Sequence, residues 1–174
     1  NPKTFLLDAP LTRGGEQPQN YEGGYRDWTQ VSHALAASRN IPAIRALLLT
    51  GGEDAVLDMA YSAGIVTPRN VKDVKIEQDE WFRYGYPLAI GSAETPLFEM
   101  VQGYLTLANA GTFTPLSTID SVTTVDGKPL DTRMAEQEHQ AMEPLFARWL
   151  TGILSDTSIH PSPAWSEALT VPGL

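Results

Sequence analysis

Ser38-Arg39-Asn40 sets a hydroxyl and a carboxamide two residues apart, where one helical pattern stops and the next begins. A hydroxyl both donates and accepts, and a carboxamide does the same without charge, so such a pair could form half of an active site. Both residue types are also favoured at helix ends for structural reasons alone, because their side chains bond nearby backbone. On the triplet alone, capping and catalysis both remain open.

Other candidates for chemistry are weaker. His33, His139 and His160 share no ligand-like spacing with one another or with a carboxylate pair, so no metal site is expected. Glu77, Asp79 and Glu80 could serve acid–base work, but they sit in a polar stretch with no partner motif and read as a solvated loop. Gly14-Gly15, Gly23-Gly24 and Gly51-Gly52 lack the Lys and Ser/Thr of a phosphate loop, and no cofactor is implied. Cysteine is absent, which removes disulfides, thiol chemistry and Cys-based zinc sites.

The elements that must position the triplet can be read from pattern. Asn1 to Arg26 is rich in Pro, Gly, Asn and Gln and reads as a loop with one short strand at Phe5-Leu6-Leu7. Asp27 and Gln30 have the spacing of a capping box and predict a helix start. Val31, Ala34 and Leu35 follow at helical spacing, and Ser38 and Asn40 end that helix. Pro42 suits the first turn of the next, whose stripe is Ile44, Leu47 and Leu48 and whose stop is Gly51. A third helix runs from about Glu53 to Ser62 and stops at Gly64. Val66 to Tyr86 reads as a long connection. Thr95 and Pro96 then predict a helix start, with Leu97, Met100, Val101, Tyr104, Leu105 and Ala108 as its buried face and Gly111 at its end. Ser117 to Val125 has strand composition, and Asp126-Gly127 predicts a hairpin turn. Ala135 to Asp156 reads as helical, with Pro144 as a break or a new first turn, and the Pro-rich tail from Thr157 as irregular. The fold class is α+β, mostly helical, with one hairpin.

The 174 residues are of a size for one domain, and a net charge of −9 without any basic run argues against nucleic acid or an anionic membrane as partner. No apolar run is long enough to span a bilayer, and no signal peptide is visible. Asn1-Pro2 is not a natural start, so a processed product or an excised piece is expected.

The stretch from Asn20 to Gly52 resembles the middle of a penicillin-binding protein transpeptidase domain, with the bifunctional class A type, including 1C-like members, the nearest match. Pro18 to Tyr21, Ala34-Leu35, Ser38, Asn40 and Pro42-Ala43 occupy that family's motif positions. A second block matches at Gly91, Thr95-Pro96-Leu97, Tyr104, Ala108-Asn109 and Gly111-Thr112. "ILSDTSIHPSPAW" and "TFLLDAP" fit further segments in the correct order. The resemblance covers nearly the whole chain.

It implies a partial serine β-lactamase/transpeptidase fold: the helical lobe plus a β-hairpin, with an incomplete central sheet. It implies acyl transfer through Ser-x-x-Lys, Ser-x-Asn and Lys-Thr-Gly motifs. Ser38 would relay a proton between the catalytic lysine and the departing amine, Asn40 would bind the substrate backbone, and Arg39 receives no role. Partners implied for the parent are the peptidoglycan stem peptide and β-lactams, together with the missing parts of the same domain. The parent would sit at the extracytoplasmic face of the cell membrane on an N-terminal anchor, behind a glycosyltransferase domain, with this segment itself soluble.

No Ser here is followed three residues later by Lys, and no Lys-Thr-Gly occurs. Residues 1–174 are therefore expected to form a partial transpeptidase domain truncated at both ends, with "LTVPGL" leading into a final strand, and to be inactive alone. The alternatives are a non-catalytic transpeptidase-like module that binds cell-wall material or a partner protein, and an unrelated helical domain with accidental matches.

Overall fold

Helices in series, joined by short antiparallel strand pairs, make up the computed structural model, which describes residues 1–72, 75–77, 80–81, 83–117, 119, 121–130 and 137–168. The Phe5-Leu6-Leu7 patch forms β1 (Phe5–Asp8), which pairs antiparallel with β2 (Asp27–Gln30), placing Asp8 opposite Asp27. The capping box expected at Asp27 and Gln30 is therefore absent. Those residues are taken up by the ladder, and α1 (Val31–Ala36) starts after Gln30 without a side-chain cap.

Next come α2 (Asn40–Leu49) and α3 (Gly52–Ser62). Ile41, Ile44 and Leu47 of α2 and Leu57 of α3 form the centre of the core, with Ala34 of α1 beside them. Gly51 and Gly64 both lie in the left-handed region, as a helix stop requires. Gly64 has a second reason to be glycine: a Cβ there would collide with the Gln102 side chain.

The stretch after Val66 is more than a connection. It holds α4 (Thr67–Lys72) and the pair β3 (Lys75–Glu77) and β4 (Glu80–Trp81). Asp79 lies outside the described residues, as do the side chains of Glu77 and Glu80, so the acidic cluster is not described. A short 3-10 helix, Tyr86–Ile90, packs on α2 and α3. Glu53 of α3 docks it by accepting the backbone N–H groups of Tyr84 at 3.1 Å and Gly85 at 2.9 Å.

The long helix α5 (Leu97–Ala108) overturns the expected burial. It starts one residue later than the Thr95-Pro96 pattern suggests, because Thr95 turns its hydroxyl back to the Ala93 carbonyl and Pro96 takes the cap position. Its apolar stripe faces outward: Leu97, Met100, Val101 and Tyr104 are exposed, Leu97 by 80%. The buried face is Glu99, Gln102 and Thr106, three and four residues apart. Hydrogen bonding explains the inversion. Glu99 accepts from the Thr67 N–H at 2.9 Å and hydroxyl at 2.6 Å, Gln102 bonds the Thr114 carbonyl and the Leu116 N–H, and the Thr106 hydroxyl donates to the Ala63 carbonyl. Gly103, on the same side, lets Ile65 approach the backbone.

Urea denaturation of two variants separates the two faces. Glu99→Ala should cost about 2–3 kcal/mol, because hydrogen bonds to a buried carboxylate are the strong kind. Val101→Thr, on the exposed stripe, should stay within about 0.5 kcal/mol of the starting chain.

After α5, β5 (Thr112–Phe113) pairs with β8 (His139–Gln140), while β6 (Val122–Thr123) and β7 (Pro129–Leu130) form the hairpin around Asp126-Gly127. Thr118 and Asp120 of the expected strand lie outside the described residues, as do Ala135 and Glu136 of the expected late helix. That helix, α6 (Pro144–Ser155), begins only at Pro144, since His139 and Gln140 are engaged with β5. The tail from Thr157 is not simply irregular. Asp156 accepts from the backbone N–H and hydroxyl of Ser158 and caps a 3-10 turn (Thr157–Ile159), and α7 (Pro163–Ala168) follows. The closing "LTVPGL" lies outside the described residues. The chain is α+β and partly helical, and its sheets among the described residues have two strands each.

Candidate active site

The corner between α1 and α2 is closed by backbone, not by the side chains of Ser38 and Asn40. The Arg39 N–H reaches the Ala34 carbonyl and the Ser38 N–H reaches the Leu35 carbonyl, both at 3.0 Å. This is the Schellman pattern, with Ser38 at its left-handed position, φ 50°. Glycine normally takes that place, because an L-residue there sets its Cβ against the carbonyl at a cost of about 1–2 kcal/mol.

Ser38 gains no local bond in return. Its side chain is exposed and has no hydrogen-bond partner among the described residues. Asn40 does not cap either: α2 has no side-chain cap, and the Asn40 carboxamide donates to the Gln19 carbonyl at 2.9 Å. That leaves its oxygen and its second N–H available. Both residues line one open groove of ≈ 530 Å³, with mainly apolar walls that include Leu6, Leu35, Leu47 and Ile90. Ala89 and Ile90 of its wall belong to the 3-10 helix that Tyr86 opens; the Tyr86 phenol donates to Glu16, and that bond, with burial and the carboxylate charge, raises the tyrosine pKa.

Ser38→Gly should therefore stabilise the chain by about 1 kcal/mol, the strain of the left-handed serine. For a chain of this length that is a rise of about 2–4 °C in melting temperature. An unchanged or lower melting temperature would mean that the serine is not strained.

Arg39, which the sequence reading left without a role, is the best-tethered side chain of the triplet. It points inward, 5% exposed, and its guanidinium grips fully buried Asp8 with Nε at 2.9 Å and a terminal nitrogen at 2.7 Å. The same terminal nitrogen donates to the Gly24 carbonyl at 2.9 Å. Asn20 completes the cluster, donating to Asp8 at 2.8 Å and accepting the first-turn N–H of Ile41 at 3.1 Å. The Arg26 N–H adds a further donor to Asp8. A signal for the pair existed: Asp8 ends an apolar strand, and Arg39 precedes an apolar helix face. Sequence alone could not join residues 31 positions apart.

The other sequence candidates are not at this corner. His139 sits on β8, its Nε2 3.0 Å from the Ser62 carbonyl and its Nδ1 3.1 Å from that of Gln137. His33 is on α1, and His160 follows the second 3-10 turn. Among the described residues no group of three or more His, Asp or Glu side chains is placed to hold a metal. No described helix is long and apolar enough to cross a membrane.

No family model matches the chain. It is 31% identical over 126 residues to penicillin-binding protein 1A of Mycobacterium tuberculosis, covering 70% of this chain and 15% of that protein. It is 32% identical over 135 residues to penicillin-binding protein 1B of Vibrio cholerae, covering 75% of this chain and 16% of that one. The chain thus spans about a sixth of the length of these curated relatives. Among solved structures it is similar to the penicillin-binding protein PonA1 of Mycobacterium tuberculosis, with a TM-score of 0.72 at 24% identity over 88% of this chain and 41% of that one. The same protein in complex with penicillin V gives 0.71 at 26% identity, over 86% and 40%. Sequence and fold agree: the chain is a segment of a penicillin-binding protein transpeptidase domain.

Proposed function

We propose that residues 1–174 form one part of a peptidoglycan D,D-transpeptidase domain, truncated at both ends relative to the complete unit, and that Ser38 and Asn40 are its Ser-x-Asn motif. In the acyl-transfer reaction the Ser38 hydroxyl passes a proton between a lysine elsewhere in the domain and the amine that departs when the carbonyl is attacked. Asn40 turns its free carboxamide groups to the backbone of the stem peptide, or to the side chain of a β-lactam. The likeness to a fold solved with penicillin V supports a β-lactam as ligand. The family likeness also supports an extracytoplasmic setting for the whole protein.

The observation that carries this reading is Ser38 itself. An exposed serine in a strained backbone conformation, with an unengaged hydroxyl on an open groove, is hard to account for as a cap. Strain of this kind gathers where a side chain has to be aimed.

The test is acylation by a labelled penicillin. In the whole transpeptidase that contains this segment, Ser38→Ala should acylate far more slowly than the unaltered enzyme. The 174-residue chain alone should give no covalent adduct, because it has no Ser-x-x-Lys nucleophile or Lys-Thr-Gly strand and these groups act as a unit. An adduct on any serine of the isolated chain would contradict the proposal.

A further inference from the structure

We infer that Arg39, through its buried ion pair with Asp8, is the positioning residue that holds Ser38 in its left-handed conformation and so aims the hydroxyl into the groove. This rests on the reading of Ser38 as a proton relay, but it concerns a different residue and a different physical quantity.

The geometry carries it. Two of its nitrogens lock Arg39: Nε donates to one Asp8 carboxylate oxygen on β1, and a terminal nitrogen lies in ion-pair contact with that same oxygen while donating to the Gly24 carbonyl. Two residues further on, the Ile41 N–H is fixed by Asn20, which is itself bonded to Asp8 and to the Gly24 carbonyl. The chain leaving α1 must therefore turn so that residue 39 enters the interior. The residue before it takes the left-handed conformation, and its side chain is left on the outside. An ion pair this buried is weak evidence for stability as such, since apolar pairs of similar volume do as well. The planar guanidinium, held between one carboxylate oxygen of Asp8 and the Gly24 carbonyl, instead suits the fixing of one backbone orientation. Arg39 contacts no reacting atom in this scheme and acts only through Ser38.

Lysine carries the charge but not the fork, so Arg39→Lys can meet Asp8 or the Gly24 carbonyl but not with the same geometry. NMR of the 174-residue chain reads the result directly. In Arg39→Lys, and in the charge-free pair Asp8→Leu/Arg39→Met, the Ser38 amide coupling and Cα/Cβ shifts should lose the positive-φ pattern. The shifts of α1 and α2 should stay helical. In the whole transpeptidase, Arg39→Lys should lower the limiting acylation rate by about 10²-fold, the effect of a reacting group misplaced by about an ångström. The reversible binding constant for penicillin should be unchanged. A folded Arg39→Lys chain in which Ser38 keeps its left-handed signature overturns the inference. That result would leave the proton-relay reading intact, whereas full activity of Ser38→Ala would remove the relay and leave the conformational result standing.

Discussion

Arg39→Met is expected to destabilise the chain by about 3–5 kcal/mol, the cost of leaving a buried carboxylate without its cation. At about 2–4 °C per kcal/mol for a chain of this size, the melting temperature should fall by roughly 6–20 °C. The charge left behind is Asp8, which is fully buried and would keep only the donors from Asn20 and the Arg26 backbone. The Gly24 carbonyl would lose its guanidinium donor as well, keeping Asn20.

The partner variant makes the argument sharper. Asp8→Leu/Arg39→Met removes both charges together and should cost less than Arg39→Met alone. It should not recover fully, because Asn20 and the Arg26 N–H lose their acceptor at about 1–3 kcal/mol for each group left unpaired. Thermal or urea unfolding of the two single variants and the double one closes the cycle. Costs that simply added in the double variant would mean that the two side chains do not act as a pair.

The corner itself was legible in the sequence, and its wiring was not. Ser38, Asn40 and Pro42 mark a helix end and a helix start by local preference, and the chain does break there. The stops at Gly51 and Gly64 and the Asp126-Gly127 turn were equally local and equally readable. The failures share one cause, which is that tertiary pairing outranks local pattern. Asp27 and Gln30 have capping-box spacing, but β1 claims them for a ladder. On α5 the apolar spacing pointed to one face, while Glu99, Gln102 and Thr106 found backbone partners on the other. Periodicity reports which side of a helix is apolar, not whether a neighbour is there to cover it. Arg39, as the middle residue of the triplet, carries no role in the motif, and only the fold brings Asp8 of β1 to it.

Ser38→Ala in the whole transpeptidase should slow acylation by labelled penicillin by about 10²- to 10⁴-fold, the usual worth of a positioned proton-transfer group. In activation free energy that is about 2.7–5.4 kcal/mol. The loss should fall on the rate at saturating penicillin and not on the reversible step, because the relay matters only once a proton is in motion. Asn40→Ala should show the opposite division. It removes the neutral hydrogen-bonding group proposed to meet the ligand before and during reaction, so apparent affinity should weaken about tenfold, the equivalent of one such bond. Helix α2 should survive that change, since Asn40 does not cap it. Ser38→Gly separates chemistry from shape. It should be as slow as Ser38→Ala yet more stable than the unaltered protein, because relief of the left-handed strain and loss of the hydroxyl come in one substitution. Ser38→Ala acylating within twofold of the unaltered enzyme would leave the serine without its proposed task and return the triplet to a structural role.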